Sequence, residues 1–476
     1  MLTRRQFCRN SALWASLLSA SPRAAWAAPE APLQLDSRRP QPESRTFSSS
    51  AIEARINFVK KRIGDPELAW LFENCYPNTL DTTVHSSTVD GRPDTFVVTG
   101  DINAMWLRDS SAQVWPYLPL AASDIRLREL FQGLIARQAR CVMLDPYANA
   151  FTPDPNAMTE HKGDHTEMKP GVFERKYELD SLCYVMRLAH GYWRLTRDPV
   201  PFDTAWRDSA RLILTTLREQ QRKHGQGSYS FQRQTTSPTE TLYRGYGYPT
   251  RPVGLIHTGF RPSDDAGIFP FLIPANHFAV VALRGLASLL QQTVGDHDLA
   301  AEANLLAAEV AAALAVYGMG NHPDYGQIYA YEADGLGNVQ FMDDANVPSL
   351  LALPYLGACS ANDPTYLRTR RFVQSPSNPY FFRGSALEGV GSPHTGLGRV
   401  WPVAITMRAL TSTDDLEIRS CLRMLKISSA RTGFMHEGVD KDDPTQFSRT
   451  WFAWANSLFG ELIGKLADTR PHLLGA

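Results

Sequence analysis

The feature that most constrains this chain is a pattern that recurs along it: a polar loop leads directly into an apolar helical stretch. The loops are rich in acidic, aromatic or glycine residues, and they lie at residues 106–110, 177–181, 261–265, 341–344, 394–399 and 447–450. Between the apolar stretches lie amphipathic segments at approximately 51–75, 123–143, 203–223, 297–317, 363–374 and 413–428. Helices that are apolar all round are typical of a protein interior, whereas amphipathic helices keep one face in water.

Six buried helices that alternate with six half-exposed helices predict an all-α fold. We expect an (α/α)6 toroid, in which six helical hairpins close into a ring over residues 51–470. A closed ring also accounts for the absence of a domain break in so long a segment. The six polar loops would then converge on one face and form a pocket. An open helical array, or two helical domains, is the alternative.

The N-terminus has the features of an export signal. Residues 1–27 contain Arg4 and Arg5, a short apolar run and the cleavage-like pattern Ala25-Trp26-Ala27, which together predict a signal peptide. The paired arginines resemble the twin-arginine signal, so we expect export to the periplasm or beyond the cell. An ordinary basic segment for general secretion is the alternative. Residues 28–50 are rich in Pro, Ser and Arg, which predicts a linker.

Composition excludes several classes of protein. Lys and Arg number 48 against 49 Asp and Glu, so there is no basic excess of the kind that nucleic-acid binding needs. We find no apolar run of the roughly 18 residues that a membrane span requires, and we expect no membrane anchor. No obligate protein partner is implied. Beyond Cys8, the five widely spaced cysteines predict buried free thiols, with a single disulfide as the alternative.

Carboxylates in aromatic-rich loops indicate a sugar site. Asp264 and Asp265 follow Arg261-Pro262, and Glu437 lies in a loop that continues into a run of acidic residues. Aromatic faces can cover the C–H faces of a pyranose while polar side chains bind its hydroxyls. One carboxylic acid can protonate a glycosidic oxygen while a second carboxylate activates water. For any single aspartate, helix capping or an ion pair is the alternative.

Other chemistries find less support. The G-x-S-x-G, H-E-x-x-H and P-loop motifs are absent from the sequence. His161, Asp164, His165 and Glu167 form a cluster with metal-ligand residue types, for which a solvated loop is the alternative. We predict neither a metal nor a cofactor.

Several long motifs resemble glycoside hydrolase family 125. They lie in order at residues 100–110, 176–184, 260–266, 436–437, 441–444 and 451–456, and the resemblance covers about 51–465. It implies an (α/α)6 fold and an exo-acting α-mannosidase, chiefly on α-1,6 linkages. It also implies inversion at the anomeric carbon, independence of metals, and a mannose-containing oligosaccharide or glycan as the substrate.

The resemblance also implies roles for individual residues. The general acid falls on Asp264, with Asp265 as the second choice, and the general base falls on Glu437. We expect the pKa of the acid to be raised by burial or by a neighbouring carboxylate, such as the other aspartate. The terminal mannose would be held by Trp106, Arg108 and Asp109. Further candidates for sugar binding are Asp180, Asn276, His277, His394 and Arg399.

Three other functions remain open from the sequence. Another inverting glycosidase on the same ring, such as an α-glucosidase, would differ in the glycosides that it cleaves. A non-catalytic exported glycan-binding protein would bind a sugar without turnover. A polysaccharide lyase on a similar toroid would release products with a new double bond.

Overall fold

The computed structural model describes residues 35–475, of which those from Ser37 onward form one compact unit. The predicted signal peptide, residues 1–27, and the first part of the predicted linker lie outside the described residues. The second part of that segment is not a linker but belongs to the helical unit. Arg39 donates hydrogen bonds to Asp81 and Glu53, and Phe47 is buried. Because these contacts bury charge and apolar surface, the unit begins before residue 51.

Helices dominate the part of the chain that the structure describes. The α-helices are α1 (Ser50–Lys60), α2 (Pro66–Cys75), α3 (Asn78–Thr82), α4 (Leu107–Val114), α5 (Ile125–Leu144), α6 (Leu179–Thr196), α7 (Thr204–Glu219), α8 (Ile273–Leu289), α9 (His297–Tyr317), α10 (Pro364–Val373), α11 (Pro402–Leu410), α12 (Asp415–Ser428) and α13 (Ala453–Thr469). Short 3-10 turns lie at Pro42–Ser44, Trp115–Leu120, Glu160–Gly163, Pro238–Glu240, Tyr243–Gly245, Pro393–Thr395 and Pro471–Leu474, and a π turn lies at Leu290–Val294.

The helices form the predicted (α/α)6 toroid. Helices α4, α6, α8, α11 and α13 form the inner layer, and α13 packs against α4 to close the ring. Hydrogen bonds strengthen this closure, because Asn456 and Ser457 of α13 bond Asn78 and Thr79 of α3. Helices α5, α7, α9, α10 and α12 lie outside, with α1 and α2 completing the outer layer.

The two layers begin their helices differently. A Ser or Asp side chain accepts a backbone N–H at the start of α1, α2, α5, α7, α9, α10 and α12. Helices α4, α6, α8, α11 and α13 have no side-chain cap. Their cap positions hold Trp106, Glu178, Leu272, Trp401 and Phe452. Capping therefore does not explain the polar loops that lead into the inner helices.

The fourth apolar stretch departs from the prediction, because residues 346–358 form successive turns rather than a helix. Pro348 and Pro354 lack the N–H that a helix needs, and the backbone of Leu350 and Leu351 instead donates to the Asp343 carboxylate. The segment still occupies the inner layer, since Leu350 and Leu353 are buried and the backbone carbonyl of Val347 accepts from Tyr184 of α6.

Two further expectations about helices need correction. The predicted outer segment 51–75 is two helices, because Pro66 cannot continue α1 and Asp65 caps α2. The segment Ile273–Val294 and helix α9 are long and apolar enough to cross a membrane, although we expected no such run. In the structure, α8 packs between α6 and α9 as a core helix of the ring.

Short antiparallel strands decorate the ring. They are β1 (Val84–Val89), β2 (Arg92–Val97), β3 (Met105–Trp106), β4 (Ala150–Phe151), β5 (Val172–Glu174), β6 (Phe271–Leu272), β7 (Met319–His322), β8 (Gly326–Tyr329), β9 (Glu332–Ala333), β10 (Val339–Gln340), β11 (Phe381–Arg383), β12 (Glu388–Val390), β13 (Arg399–Val400) and β14 (Val439–Asp440). The sheet orders are β3-β4-β5 and β10-β9-β6, with hairpins or pairs β1-β2, β7-β8, β11-β12 and β13-β14. Strands β3, β6 and β13 lead into inner helices and so fix where those helices begin.

The cysteines of the described residues are free thiols, as expected. Cys75, Cys141, Cys183 and Cys421 are buried, and Cys359 is half-buried. Burial raises the pKa of the Cys141 and Cys421 thiols to about 12.

Candidate active site

A small pocket lies where the inner helices begin. It contains about 380 Å³ of empty space, its open mouth included. Among the predicted site residues, the pocket is lined by Trp106, Arg108, Asp109, Asp264, His394 and Glu437. These residues come from loops far apart in the sequence, so the ring brings them together.

The base of the pocket is a buried guanidinium among carboxylates. Arg108, in the first turn of α4, donates from Nη1 to Asp109 and from Nη2 to Glu178 at 3.1 Å and Asp264 at 3.2 Å. Its Nε lies 3.3 Å from Asp180 Oδ2. The planar fork of arginine suits such an arrangement, because it presents five donors in fixed directions.

Burial and charge divide the protons among these carboxyl groups. Burial raises the pKa of Asp180 to about 7 and the pKa of Glu178 well above its usual range, although Arg108 opposes both shifts. The pKa of Asp264 is lowered, because Arg108, a hydrogen bond from Glu178, Lys176 and His394 outweigh the effect of burial. The expectation that the pKa of the acid is raised is therefore wrong for Asp264.

The loop before α8 separates the two adjacent aspartates. Its turn is closed by hydrogen bonds from Asp264 N to Arg261 O at 2.9 Å and from Arg261 N to Asp265 O at 2.7 Å. Asp264 adopts a φ of 66°, a left-handed conformation that is uncommon outside glycine and that clusters at functional sites. Its side chain is 26% exposed and reaches the pocket.

Asp265 is buried and supports His394 instead. Its Oδ1 lies 3.5 Å from His394 Nδ1, and its Oδ2 has no hydrogen-bond partner in the described chain. Burial alone would lower the pKa of His394, but the hydrogen bond and charge of Asp265, with the charges of Asp264 and Glu437, raise it to about 9. His394 therefore enters the pocket as a cation at neutral pH.

Glu437 approaches from the loop that precedes β14. Its Oε2 accepts a hydrogen bond from Ser448 Oγ at 2.9 Å, and its Oε1 lies 3.4 Å from Arg449 Nε. Arg449 is itself held by Asp101 at 2.9 Å. These contacts orient a charged carboxylate at the pocket wall.

The remaining sequence candidates do not line the pocket. Asp180 lies behind it against Arg108, and Arg399 pairs with Asp440 in the β13–β14 ladder. The side-chain amide of Asn276 forms hydrogen bonds with the backbone of Ile256 and Leu272. His277 packs edge-on against Tyr329 with ring centroids 5.1 Å apart.

Sequence reasoning missed several residues of the site. Asn346, Trp401, Arg449 and Phe452 line the pocket, and Glu178 binds the guanidinium beneath it. Trp401, Phe452 and Glu178 each occupy the cap position of an inner helix. A non-capping residue directly before a buried helix is the signal that could have found them.

No group of His, Cys, Asp and Glu within residues 35–475 has the arrangement of a metal site. In the loop flagged from the sequence, Asp164 forms a bidentate pair with Arg233, and His161 Nδ1 lies 3.1 Å from the same guanidinium. These residues are engaged in an ion-pair network.

The pocket combines carboxyl groups, two guanidinium groups, a histidine and aromatic walls. Charged and polar groups at Asp109, Asp264, Arg449 and Glu437 can bind hydroxyl groups, and the rings of Trp106, Trp401 and Phe452 supply apolar surface. Asp264 and Glu437 also offer two separate carboxyl groups for acid and base steps.

Comparison with known proteins agrees with this site. The profile of the metal-independent alpha-mannosidase family (GH125) matches residues 65–464. The meiotically up-regulated gene 157 protein of Schizosaccharomyces pombe is 45% identical over 462 residues, which cover 93% of this chain and 91% of that protein. A Streptococcus pneumoniae alpha-mannosidase, solved in a non-productive complex with alpha-1,6-mannobiose, aligns with a TM-score of 0.86 and 41% identity over 89% of this chain and all of that chain.

A bacterial glucoamylase solved with acarbose shares the fold, with a TM-score of 0.53 at 16% identity over 88% of this chain and 58% of that chain. The sequence motifs, the ring and the long family match all agree. The chain is a glycoside hydrolase and belongs to the metal-independent alpha-mannosidases of family 125.

Proposed function

We propose that this chain is an exo-acting α-mannosidase that removes terminal non-reducing α-1,6-linked mannose from oligosaccharides or glycans with inversion. The observation that carries the proposal is that Asp264 and Glu437, which lie on separate loops, line one small pocket. The α-1,6 linkage is supported by the mannobiose bound to the S. pneumoniae relative.

Asp264 is the better candidate for the general acid. Its side chain reaches the pocket, whereas Asp265 is buried and faces His394. In the reaction, Asp264 donates a proton to the glycosidic oxygen as the bond to the anomeric carbon breaks. Each such acid or base group contributes on the order of 10²–10⁴ in rate.

Glu437 is the general base in this proposal. It is oriented by Ser448 and Arg449, and it removes a proton from the water that attacks the anomeric carbon. Attack on the face opposite the leaving group gives β-mannose. Arg108, Asp109 and Trp106 lie in the same pocket and would hold the terminal sugar.

Time-resolved proton NMR of α-1,6-mannobiose hydrolysis tests the proposal. We expect β-mannose to appear before mutarotation produces the α anomer, and Glu437→Gln to lower turnover by ~10²–10⁴. Glu461→Gln is a matched control, since Glu461 is a half-buried carboxyl of α13 that does not line the pocket. Initial α-mannose would overturn inversion.

The other outcomes of this test separate the rival functions. Saturable binding of mannobiose without release of mannose would indicate a glycan-binding protein. Faster cleavage of an α-glucoside would indicate a glucosidase. A product that absorbs in the ultraviolet through a new double bond would indicate a lyase.

Export is a separate part of the proposal. Arg4 and Arg5, the apolar run and the Ala-x-Ala pattern support transport by the twin-arginine route. Cell fractionation should find the protein outside the cytoplasm, and replacing both arginines by lysine should retain it inside. Wild-type protein confined to the cytoplasm would refute this.

A further inference from the structure

Glu178 is a fully buried carboxyl group beside the candidate acid. It occupies the cap position of α6, and its side chain has no exposed surface. Its two oxygens lie 3.1 and 3.2 Å from Arg108 Nη2, the same nitrogen that donates to Asp264 Oδ1 at 3.2 Å. Because both carboxyl groups contact this one nitrogen, they lie side by side on it.

The charge balance around Arg108 requires a proton among its carboxyl partners. One buried guanidinium contacts four carboxyl groups, and such a group of like charges cannot all ionise in a site of low polarity. At least one of the four therefore holds a proton, and the complete burial of Glu178 beside the partly exposed Asp264 assigns it to this pair.

We propose that Glu178 is a positioning residue that stores this proton in the empty site and passes it to Asp264 when a mannoside covers the pocket. This inference rests on the proposed function. The side chain of Asp264 is 26% exposed, and that of Glu178 is fully buried. Water and nearby cations therefore favour a charged Asp264 before the sugar binds, and burial favours a neutral Glu178.

Binding reverses this preference. A sugar unit above Asp264 removes its water, and desolvation disfavours the charged carboxylate. Glu178 has no water to lose, so the proton moves from its Oε to Asp264. Asp264 then donates the proton to the glycosidic oxygen, and Glu437 takes one from the attacking water. The Glu178–Asp264 pair regains a proton from solvent, and Glu437 releases one, before the next turnover.

The charged and titratable groups around the pair come from four segments. They are Arg108 and Asp109 of α4, Asp180 of α6, Lys176 of the loop before α6, and His394 of a pocket loop. Lys176 Nζ bonds the backbone carbonyl of Asp264 at 3.0 Å and helps to keep this carboxyl charged. Because these groups interact, the pair titrates as a unit.

The variant Glu178→Gln tests the proposal, because glutamine keeps the shape of the side chain and a donor to Asp264 but holds no transferable proton. We expect kcat/KM for α-1,6-mannobiose to fall by ~10²–10⁴. For 2,4-dinitrophenyl α-mannoside, whose leaving group needs no protonation, we expect a loss below about tenfold. The alkaline limb of the kcat/KM profile for mannobiose should move to lower pH.

Infrared spectroscopy gives a readout that needs no turnover. The carbonyl stretch of a protonated carboxyl group should be present in the empty wild-type protein at pH 7 and should be weaker in Glu178→Gln. Glu461→Gln, which removes a half-buried carboxyl with a raised pKa outside the pocket, should leave the ratio of the activities on the two substrates unchanged. Wild-type protein that fails to release mannose refutes the proposed function, whereas the infrared difference still decides where the proton lies.

Equal losses on both substrates, with an unchanged alkaline limb and an unchanged infrared band, would overturn the inference. If Glu178→Gln does not fold, a milder substitution still tests the proposal. Ser181 Oγ donates to Glu178 Oε2 at 2.9 Å, and loss of this donor disfavours the charged form of Glu178. Ser181→Ala should therefore move the alkaline limb to higher pH, and an unmoved limb would count against the proposal.

Discussion

The ion pair between Asp265 and His394 makes the stability of this protein depend on pH. His394 has a pKa of about 9 in the folded protein, against 6.5 for an unperturbed histidine. A raised pKa means that the folded state binds the proton more tightly than the unfolded state. The resulting stabilisation is complete below pH 6.5 and is lost as the pH rises through 9. Asp265→Asn should remove most of it.

The size of the effect follows from the pKa difference. About 2.5 pKa units, at about 1.4 kcal/mol for each unit, set an upper value of about 3.5 kcal/mol. The side chain of His394 is 29% exposed, and water screens its charge, so we expect about 1–3 kcal/mol. The difference in unfolding free energy between wild type and Asp265→Asn should shrink by this amount between pH 6 and pH 9.5.

Urea unfolding of both proteins at pH 6, 7.5 and 9.5 measures the effect directly. The same substitution in a His394→Gln background is the control, because no histidine remains to titrate there. In that background the cost of Asp265→Asn should not vary with pH. A wild-type difference that stays constant from pH 6 to pH 9.5 would refute the reasoning.

Four further predictions concern the site and the thiols. Asp264→Asn should lower kcat/KM for α-1,6-mannobiose by ~10²–10⁴ and for a dinitrophenyl mannoside much less; equal losses would contradict an acid role. Arg108→Lys should lower the free energy of unfolding by about 2 kcal/mol or more in urea titrations, because one ammonium cannot replace a fork that serves four carboxyl groups. A thiol reagent should modify the four buried cysteines only after denaturation, and reducing agent should not change the melting temperature. Exhaustive chelation should leave mannose release unchanged, and recovery of lost activity by a divalent cation would refute metal independence.

Much of the ring could be predicted because helix burial leaves a direct mark on sequence. Apolar residues on every face predicted α6, α8 and α13 as inner helices, and one-sided patterns predicted α7, α9 and α12 as outer helices. The prediction of a helix was wrong at residues 346–358. This segment has the apolar content of an inner helix, but two prolines prevent a helix there. An apolar pattern predicts that a segment is buried, but the backbone properties of its residues decide whether the segment is a helix.

The site was harder to predict because orientation is invisible in a sequence. Glu178 and Asp180 lie two residues apart, and both carboxyls face Arg108, yet Glu178 alone reaches Asp264. Asn276 and His277 lie one turn inside α8, where helical geometry directs them into packing contacts rather than the pocket. The different directions of the Asp264 and Asp265 side chains depend on a left-handed residue at Asp264, and an aspartate in a sequence does not by itself predict that conformation.

The uncapped inner helices limit how this enzyme could be made more heat-resistant. A side-chain cap is worth roughly 0.5–2 kcal/mol, and five helices forgo it. At three of those positions the residue, Trp106, Trp401 or Phe452, lines the candidate site, and at a fourth Glu178 accepts a hydrogen bond from Arg108 beneath it. Replacing these residues by aspartate would raise stability and lower turnover. Leu272 is the exception. The other positions suited to stabilising substitutions lie in the outer layer.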